Sequence, residues 1–286
     1  MKLGIDMGGM SIKMGLVNEE NKIIGRITIP TDLTVPYQTL VERMADAVRQ
    51  MLENAGMTLE QCGGIGIGSP GTIDAKQGVI LYSNNFGWEN VPIVEELKKH
   101  LDTRIEIAND ADAAALGEVC AGAAEGAENA VLLTLGTGVG SGVILDKKIF
   151  RGAMPGGCEL GHLSIRYDGI RCTCGRKGCL EAYASASALL RIAREKAAEH
   201  PESIMNEMCG NDLEQMNGKI PFDAAKAGDE AGMETVKEYE GYLACGIANV
   251  INTFRPEKVI LGGGQIYNRK YWKLPIVYGG FVGCAY

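Results

Sequence analysis

No run of about eighteen apolar residues occurs in this 286-residue chain, so the sequence offers no candidate transmembrane helix. Positive charge is not in excess: 28 Lys and Arg stand against 36 Asp and Glu, a net charge of −8, and the basic residues form no patch. That balance favours solubility and gives no footing for nucleic acid or a membrane surface. No low-complexity segment is present. Met1-Lys2 leads straight into a strand-like segment, so no signal peptide is expected, and the nine cysteines are an odd number. Both features point to a reducing, cytoplasmic setting, where clustered cysteines serve as metal ligands more often than as disulfides.

What the chain does have is a cysteine cluster. His162 closes Glu159-Leu-Gly-His162, and after nine intervening residues comes Cys172-Thr-Cys174-Gly-Arg-Lys-Gly-Cys179-Leu-Glu181. Three thiolates and one imidazole form a closed tetrahedral zinc set of the structural kind. Buried thiols or disulfides are the plainer alternatives. Cys172 and Cys174 are poorly placed for a mutual disulfide, because alternate side chains of an extended segment point apart. The carboxylates Glu159 and Glu181 flank the ligands, so a bound metal would fix where they point.

Apolar content of 46% is ordinary for a globular protein, and the length suits one large or two medium domains. Leu3 to Asp6 reads as a buried strand ending in a tight turn at Gly8-Gly9, followed by strands over Ile12 to Val17 and Lys22 to Ile29. Apolar residues at 40, 41, 44, 47, 48, 51, 52 and 55 predict a helix over 37–55, stopped by Gly56. Gly64 to Gly68 and Arg104 to Ala108 read as strands, Pro92 to Leu101 as a short helix, and Asp110 opens a helix through about Ala124. A second strand, turn and strand spans Ala130 to Leu135, Gly136-Thr137-Gly138-Val139-Gly140, and Gly142 to Leu145. Helices are expected over 181–199 and 222–253, with a last strand at Lys258 to Leu261 before Gly262-Gly263-Gly264. Strands followed by helices, twice over, predict two α/β lobes, 1–118 and 119–286.

The two glycine turns expose backbone amides that can form anion nests, and could clamp the phosphates of ATP. Neither is a P-loop, since Gly-x4-Gly-Lys-Ser/Thr is absent at both. Asp6 could hold Mg2+ directly or through water, and Lys13 could approach a terminal phosphate. Asn109-Asp110 opens a helix, where the dipole and free amides should hold the Asp110 carboxylate ionised. A helix-capping role for Asp110 is the plainer reading, with Asp112 available as a separate cap.

Taken together, these segments resemble the ROK (repressor, ORF, kinase) family of sugar kinases and repressors, within the actin/hexokinase-like superfamily, and in that family the bacterial glucokinases most. The matching motifs are Asp6-Met-Gly8-Gly9 with Lys13, Gly66-Ile-Gly68-Ser-Pro70-Gly71, Asn85-Phe-Gly-Trp88, Asn109-Asp110-Ala-Asp112, Leu135-Gly-Thr-Gly138-Val-Gly140, the histidine–cysteine set and Gly262-Gly-Gly264. The resemblance implies two ribonuclease H-like lobes with a cleft between them and ATP-dependent phosphorylation of a hexose 6-hydroxyl, glucose foremost. It implies Asp110 as general base, and Gly71, Asn85, Asn109, Glu159, His162 and Glu181 around the sugar. It further implies Asp6, Gly8, Gly9, Lys13, Gly136, Thr137, Gly138 and Gly262 to Gly264 around Mg-ATP. Structural Zn2+ on His162, Cys172, Cys174 and Cys179, and a homodimer or homotetramer, complete the expectation. N-acetylmannosamine, N-acetylglucosamine, allose and fructose are alternative substrates. A non-catalytic sugar-binding regulator is the alternative function, though with the first strand read from residue 3 the N-terminal helix-turn-helix of the repressors is not expected.

Two departures from the family pattern stand out. Met10 occupies the position after the double glycine where Thr is usual, with Ser11 as a possible substitute hydroxyl. After Tyr267 the pattern is expected to fade, and the closing helix of the family is expected to be missing.

Overall fold

A computed structural model of the chain describes residues 1–263. Gly264 and the tail after Tyr267, including the expected loss of the closing helix, lie outside the described residues. The chain separates into two compact units, one formed by Met1–Gly126 with Gly142–Cys158 and the other by Ala127–Ser141 with the residues from Glu159 onward.

The first unit begins with β1 (Lys2–Met7), β2 (Ser11–Val17) and β3 (Ile23–Pro30), an antiparallel meander. Leu3, Ile5 and Met7 of β1 and Ile12, Met14 and Leu16 of β2 are buried, the period-two pattern of strands with one apolar face. Helix α1 (Tyr37–Asn54) packs onto this core through Leu40, Val41, Met44, Val48 and Met51, at helical spacing. Next come β4 (Ile65–Ser69), β5 (Thr72–Asp74), β6 (Val79–Ser83), β7 (Trp88–Val91), α2 (Ile93–Lys98), β8 (Ile105–Asn109) and α3 (Asp110–Ala121). The main sheet has the order β3-β2-β1-β4-β8, with β1, β4 and β8 parallel. Their carboxyl ends therefore lie side by side, where open α/β sheets bind ligands.

The second unit is built on β9 (Ala130–Leu135), the start of β10 (Val139–Leu145), and β12 (Lys258–Gly262). Ala130 to Leu133 are all buried, as expected of a parallel strand covered on both faces, and β9 pairs in parallel with β12. Strand β10 passes from one unit to the other and pairs with β11 (Lys148–Ile149). Helices α4 (Glu181–Ala184), α5 (Ala186–Glu199), α6 (Ile204–Met208), α7 (Ile220–Lys226) and α8 (Glu230–Phe254) complete the unit. Among the described residues no helix is long and apolar enough to cross a membrane.

Several elements differ from the sequence expectation. The helix expected over 181–199 breaks at Ser185, whose hydroxyl caps α5 by accepting from Ala188 N–H at 3.1 Å. The helix expected over 222–253 breaks ahead of Asp229, which caps α8 by accepting from Gly232 N–H at 2.8 Å. Buried or half-buried capping side chains outweigh the continuous helix propensity of their surroundings. A three-stranded sheet, β5-β6-β7, occupies the stretch between Gly71 and Pro92 that the sequence pattern leaves without strands. The second strand of the later glycine turn starts at Val139 rather than Gly142.

Candidate active site and metal centre

The carboxyl ends of β1, β4 and β8 gather Asp6, Ser69 and Asn109, with Asp6 opposite Gly68 and Ser69 opposite Asn109 in the parallel registers. Asn109, not Asp110, caps α3: its Oδ1 accepts from the backbone of Ala111 at 2.9 Å and Asp112 at 3.4 Å. Its Nδ2 donates to the Gly71 carbonyl at 3.2 Å. Gly71 has φ +113°, and a Cβ there would strike the Tyr82 carbonyl, so the position admits only glycine. Asp112 does not act as a second cap, because it lies inside the first turn of α3 and is buried.

Asp110 presents an exposed face, yet the protein packed around it withdraws water and raises its carboxyl above the ordinary carboxylate range. The Asp6 carboxylate adds to that rise, while the Ala111 amide and Asn109 oppose it. The expectation that the helix terminus would hold Asp110 ionised is thus corrected in direction: loss of hydration exceeds the stabilisation by nearby amides. A carboxylate open to solvent on one side with a raised pKa is the state a general base requires.

Lys13 faces Asp6 across the β1–β2 pair at 3.9 Å, and both side chains are exposed. The turn between these strands is closed by Gly8 N–H donating to the Ser11 carbonyl at 3.0 Å. Thr31, which the sequence reading missed, secures it from β3's end: its hydroxyl donates to the Gly8 carbonyl at 2.6 Å and its amide to the Met10 carbonyl at 3.1 Å. The Met10 side chain is 90% exposed. Asn85 is also exposed and stands beside Gly9.

In the second unit the Gly136-Thr137-Gly138 turn follows β9, and Gly263, after β12, lies against the Leu135 carbonyl. The turn is held by α5's start, with the Ala186 amide donating to Gly136 at 2.8 Å and the Ser187 hydroxyl donating to Thr137 at 3.0 Å. Glu181, at the start of α4, reaches it as well: Oε2 accepts from the Val139 amide at 3.0 Å.

His162, Cys172, Cys174 and Cys179 bring one donor atom each into a cluster in which all four lie within 4.8 Å of one another. Cys172 Sγ is 3.6 Å from His162 Nδ1, and Cys174 Sγ is 3.6 Å from Cys179 Sγ. Four donors at about 2.0–2.3 Å from a tetrahedral zinc stand roughly 3.5–3.8 Å apart, so the donor set fits that ion. None of the three cysteines in the cluster is in a disulfide. Burial pushes the Cys179 thiol up to about 12, so an adjacent cation is what would favour its thiolate. The 3-10 turn carrying His162 is tied down by buried Ser141, whose hydroxyl accepts from the Leu160 amide at 3.0 Å. Glu159 opens that turn and is exposed. The candidate sugar residues are thus divided between the units: Gly71, Asn85 and Asn109 in one, Glu159, His162 and Glu181 in the other.

The pattern of the ROK family matches residues 2–276, running past Tyr267 where the sequence reading expected it to fade. A glucokinase from Thermotoga maritima is 37% identical over 263 residues, which is 92% of this chain and 81% of that protein. A ROK hexokinase from Thermus thermophilus has a similar structure, with a TM-score of 0.79 and 33% identity over 96% of this chain and 85% of that one. A ROK family glucokinase from Streptomyces griseus, solved with glucose and AMPPNP, gives a TM-score of 0.72 and 32% identity over 92% of this chain and 83% of that one.

Proposed function

The chain belongs to the ROK family and has its actin/hexokinase-like α/β fold, and we propose that it is an ATP-dependent glucokinase in which Asp110 is the general base. The observation that carries the role of Asp110 is its place at the exposed start of α3, directly after the carboxyl end of the parallel strand β8, where loss of hydration also raises its carboxyl. Asp110 takes the proton of the sugar 6-hydroxyl as that oxygen attacks the γ-phosphorus. The bond from the γ-phosphorus to its bridging oxygen breaks, ADP departs, and the glucose 6-phosphate leaves with Asp110 protonated until solvent takes the proton.

Such a transfer asks the protein mainly for alignment and charge stabilisation. Asn109 and the Gly71 loop, Asn85, Glu159, His162 and Glu181 supply donors and acceptors for the ring hydroxyls, each of which can both give and accept. The turns at Gly8-Gly9 and Gly136 to Gly138, with Gly262 and Gly263, offer backbone amides for the nucleotide. Asp6 would hold Mg2+ and Lys13 a phosphate, roles supported by their exposed side chains 3.9 Å apart. When bound, Mg2+ would neutralise charge on the phosphates, and Zn2+ on the cysteine–histidine set would stiffen the loop that presents His162 and Glu181. The active form is a homodimer or homotetramer in the cytoplasm.

Coupled ADP release with Mg-ATP across hexoses and N-acetylhexosamines tests this reading. Turnover is expected with glucose and none with 6-deoxyglucose. Turnover with an N-acetylhexosamine alone would shift the substrate, and glucose binding without any turnover would favour a sugar-binding regulator.

A further inference from the structure

The Glu181 carboxylate engages two segments that the sugar reading leaves unconnected. Its Oε2 accepts from the Val139 amide at 3.0 Å, and Val139 directly follows Gly136-Thr137-Gly138. Its Oε1 accepts from the Thr173 hydroxyl at 3.2 Å and lies 3.7 Å from Cys172 Sγ. Thr173 sits between two of the four clustered ligands, Cys172 and Cys174. A Cβ at Gly138 would collide with Oε2, so the glycine turn is built closely around this carboxylate. One side chain therefore fastens the metal loop to the turn.

We propose that Glu181 is a positioning residue that couples the metal loop to the nucleotide-phosphate turn. A metal held by Cys172 and Cys174 would order Thr173 between them. Thr173 orients the carboxylate, and the carboxylate fixes the Val139 amide and the path of Gly136 to Gly138. The inference rests on the reading of that turn as a phosphate site. A carboxylate has two acceptor oxygens, so one side chain can hold both segments at once. Outer hydrogen bonds around metal sites orient the groups they touch, and small misplacements of a binding group are costly. If Glu181 served only as a favourable acidic residue at the start of α4, its partners would affect stability without distinguishing nucleotide from sugar.

Thr173→Val tests the coupling by removing one hydrogen bond to Glu181 while every proposed ligand of sugar and nucleotide keeps its own side chain. Zinc content, glucose affinity and AMPPNP affinity are measured on the full chain, the affinities by calorimetry, with KM and kcat alongside. We expect zinc content to hold and AMPPNP affinity to fall about three- to tenfold, more than glucose affinity, to which Glu181 gives one contact among several. KM for ATP should rise more than kcat falls. Thr173→Ser should restore the wild-type values. In a Glu181→Gln background, Thr173→Val should cost no further nucleotide affinity, because both act through one contact.

Unchanged AMPPNP affinity, equal losses for glucose and nucleotide, or additive losses in the double variant would overturn the coupling. Loss of zinc from Thr173→Val would overturn it too, by making Thr173 a support of the metal loop alone. Wild-type protein that binds AMPPNP but phosphorylates no sugar would sink the kinase reading and leave the coupling to be decided by these affinities. Wild-type protein that binds no nucleotide would overturn both.

Discussion

Asn109 and Gly71 are joined by one hydrogen bond, the Asn109 amide donating to the Gly71 carbonyl at 3.2 Å while the same side chain caps α3. One residue thus sets both the helix that begins with Asp110 and the loop after β4. The two roles separate by substitution. Asn109→Ala should cost about 1–2 kcal/mol of stability by removing the cap. Asn109→Ser should keep most of that stability, because serine also caps, yet it is too short to reach Gly71. Both should raise KM for glucose, about tenfold or more. Thermal melts with steady-state kinetics decide it; a glucose KM that tracks stability across the two variants would contradict the separation.

The raised pKa of Asp110 fixes a sign for the pH dependence. A general base works when deprotonated, so kcat/KM should fall with unit slope as pH drops through the Asp110 pKa. That fall should begin at a higher pH than for an ordinary aspartate near 3.9. The linkage runs oppositely for folding. A carboxyl that binds its proton more tightly when folded favours the fold most at low pH, and that contribution is lost as pH rises through the folded pKa. Asp110→Asn should therefore leave Tm at neutral pH unchanged or raised by about 1–3 °C. A lower Tm would mean the carboxylate supports the fold.

Metal loss should be structural in effect. Cys179 is fully buried within the ligand cluster. Cys179→Ser should abolish zinc retention, read by elemental analysis, and lower Tm by about 10 °C or more. Full stability and activity in a zinc-free variant would contradict a structural metal.

Met10 is 90% exposed on the first glycine turn, where its carbonyl is engaged by Thr31 and its side chain offers no hydroxyl. Met10→Thr should lower KM for ATP by about three- to tenfold, the scale of one recovered hydrogen bond. Unchanged ATP kinetics would assign the hydroxyl's work to Ser11 or to backbone amides alone.

What the sequence revealed follows the range over which each signal acts. Leu3, Ile5 and Met7 alternate, and Leu40, Met44, Val48 and Met51 recur at helical spacing, so β1 and α1 were legible. Cys172, Cys174 and Cys179 lie close in the chain, so the ligand set could be read from spacing, and the fold brings His162 to it. Strands β5 to β7 are short, and the polar residues among them blur the alternation. Asn109 and Asp110 are adjacent capping types, and only the backbone geometry shows which one caps. The direction of the Asp110 pKa depends on burial and on Asp6, distant in the chain. Thr31 and Ser141 are single hydroxyls whose partners lie 23 and 19 residues away, and no local pattern marks them.

The most direct test of the central claim compares wild type with Asp110→Asn in glucose-dependent ADP release, with glucose affinity measured on both proteins. The account predicts glucose-dependent turnover in wild type, glucose binding within a few fold in the variant, and a rate lowered by at least about 10²-fold. A variant that binds glucose and turns over at near wild-type rate would contradict Asp110 as the base.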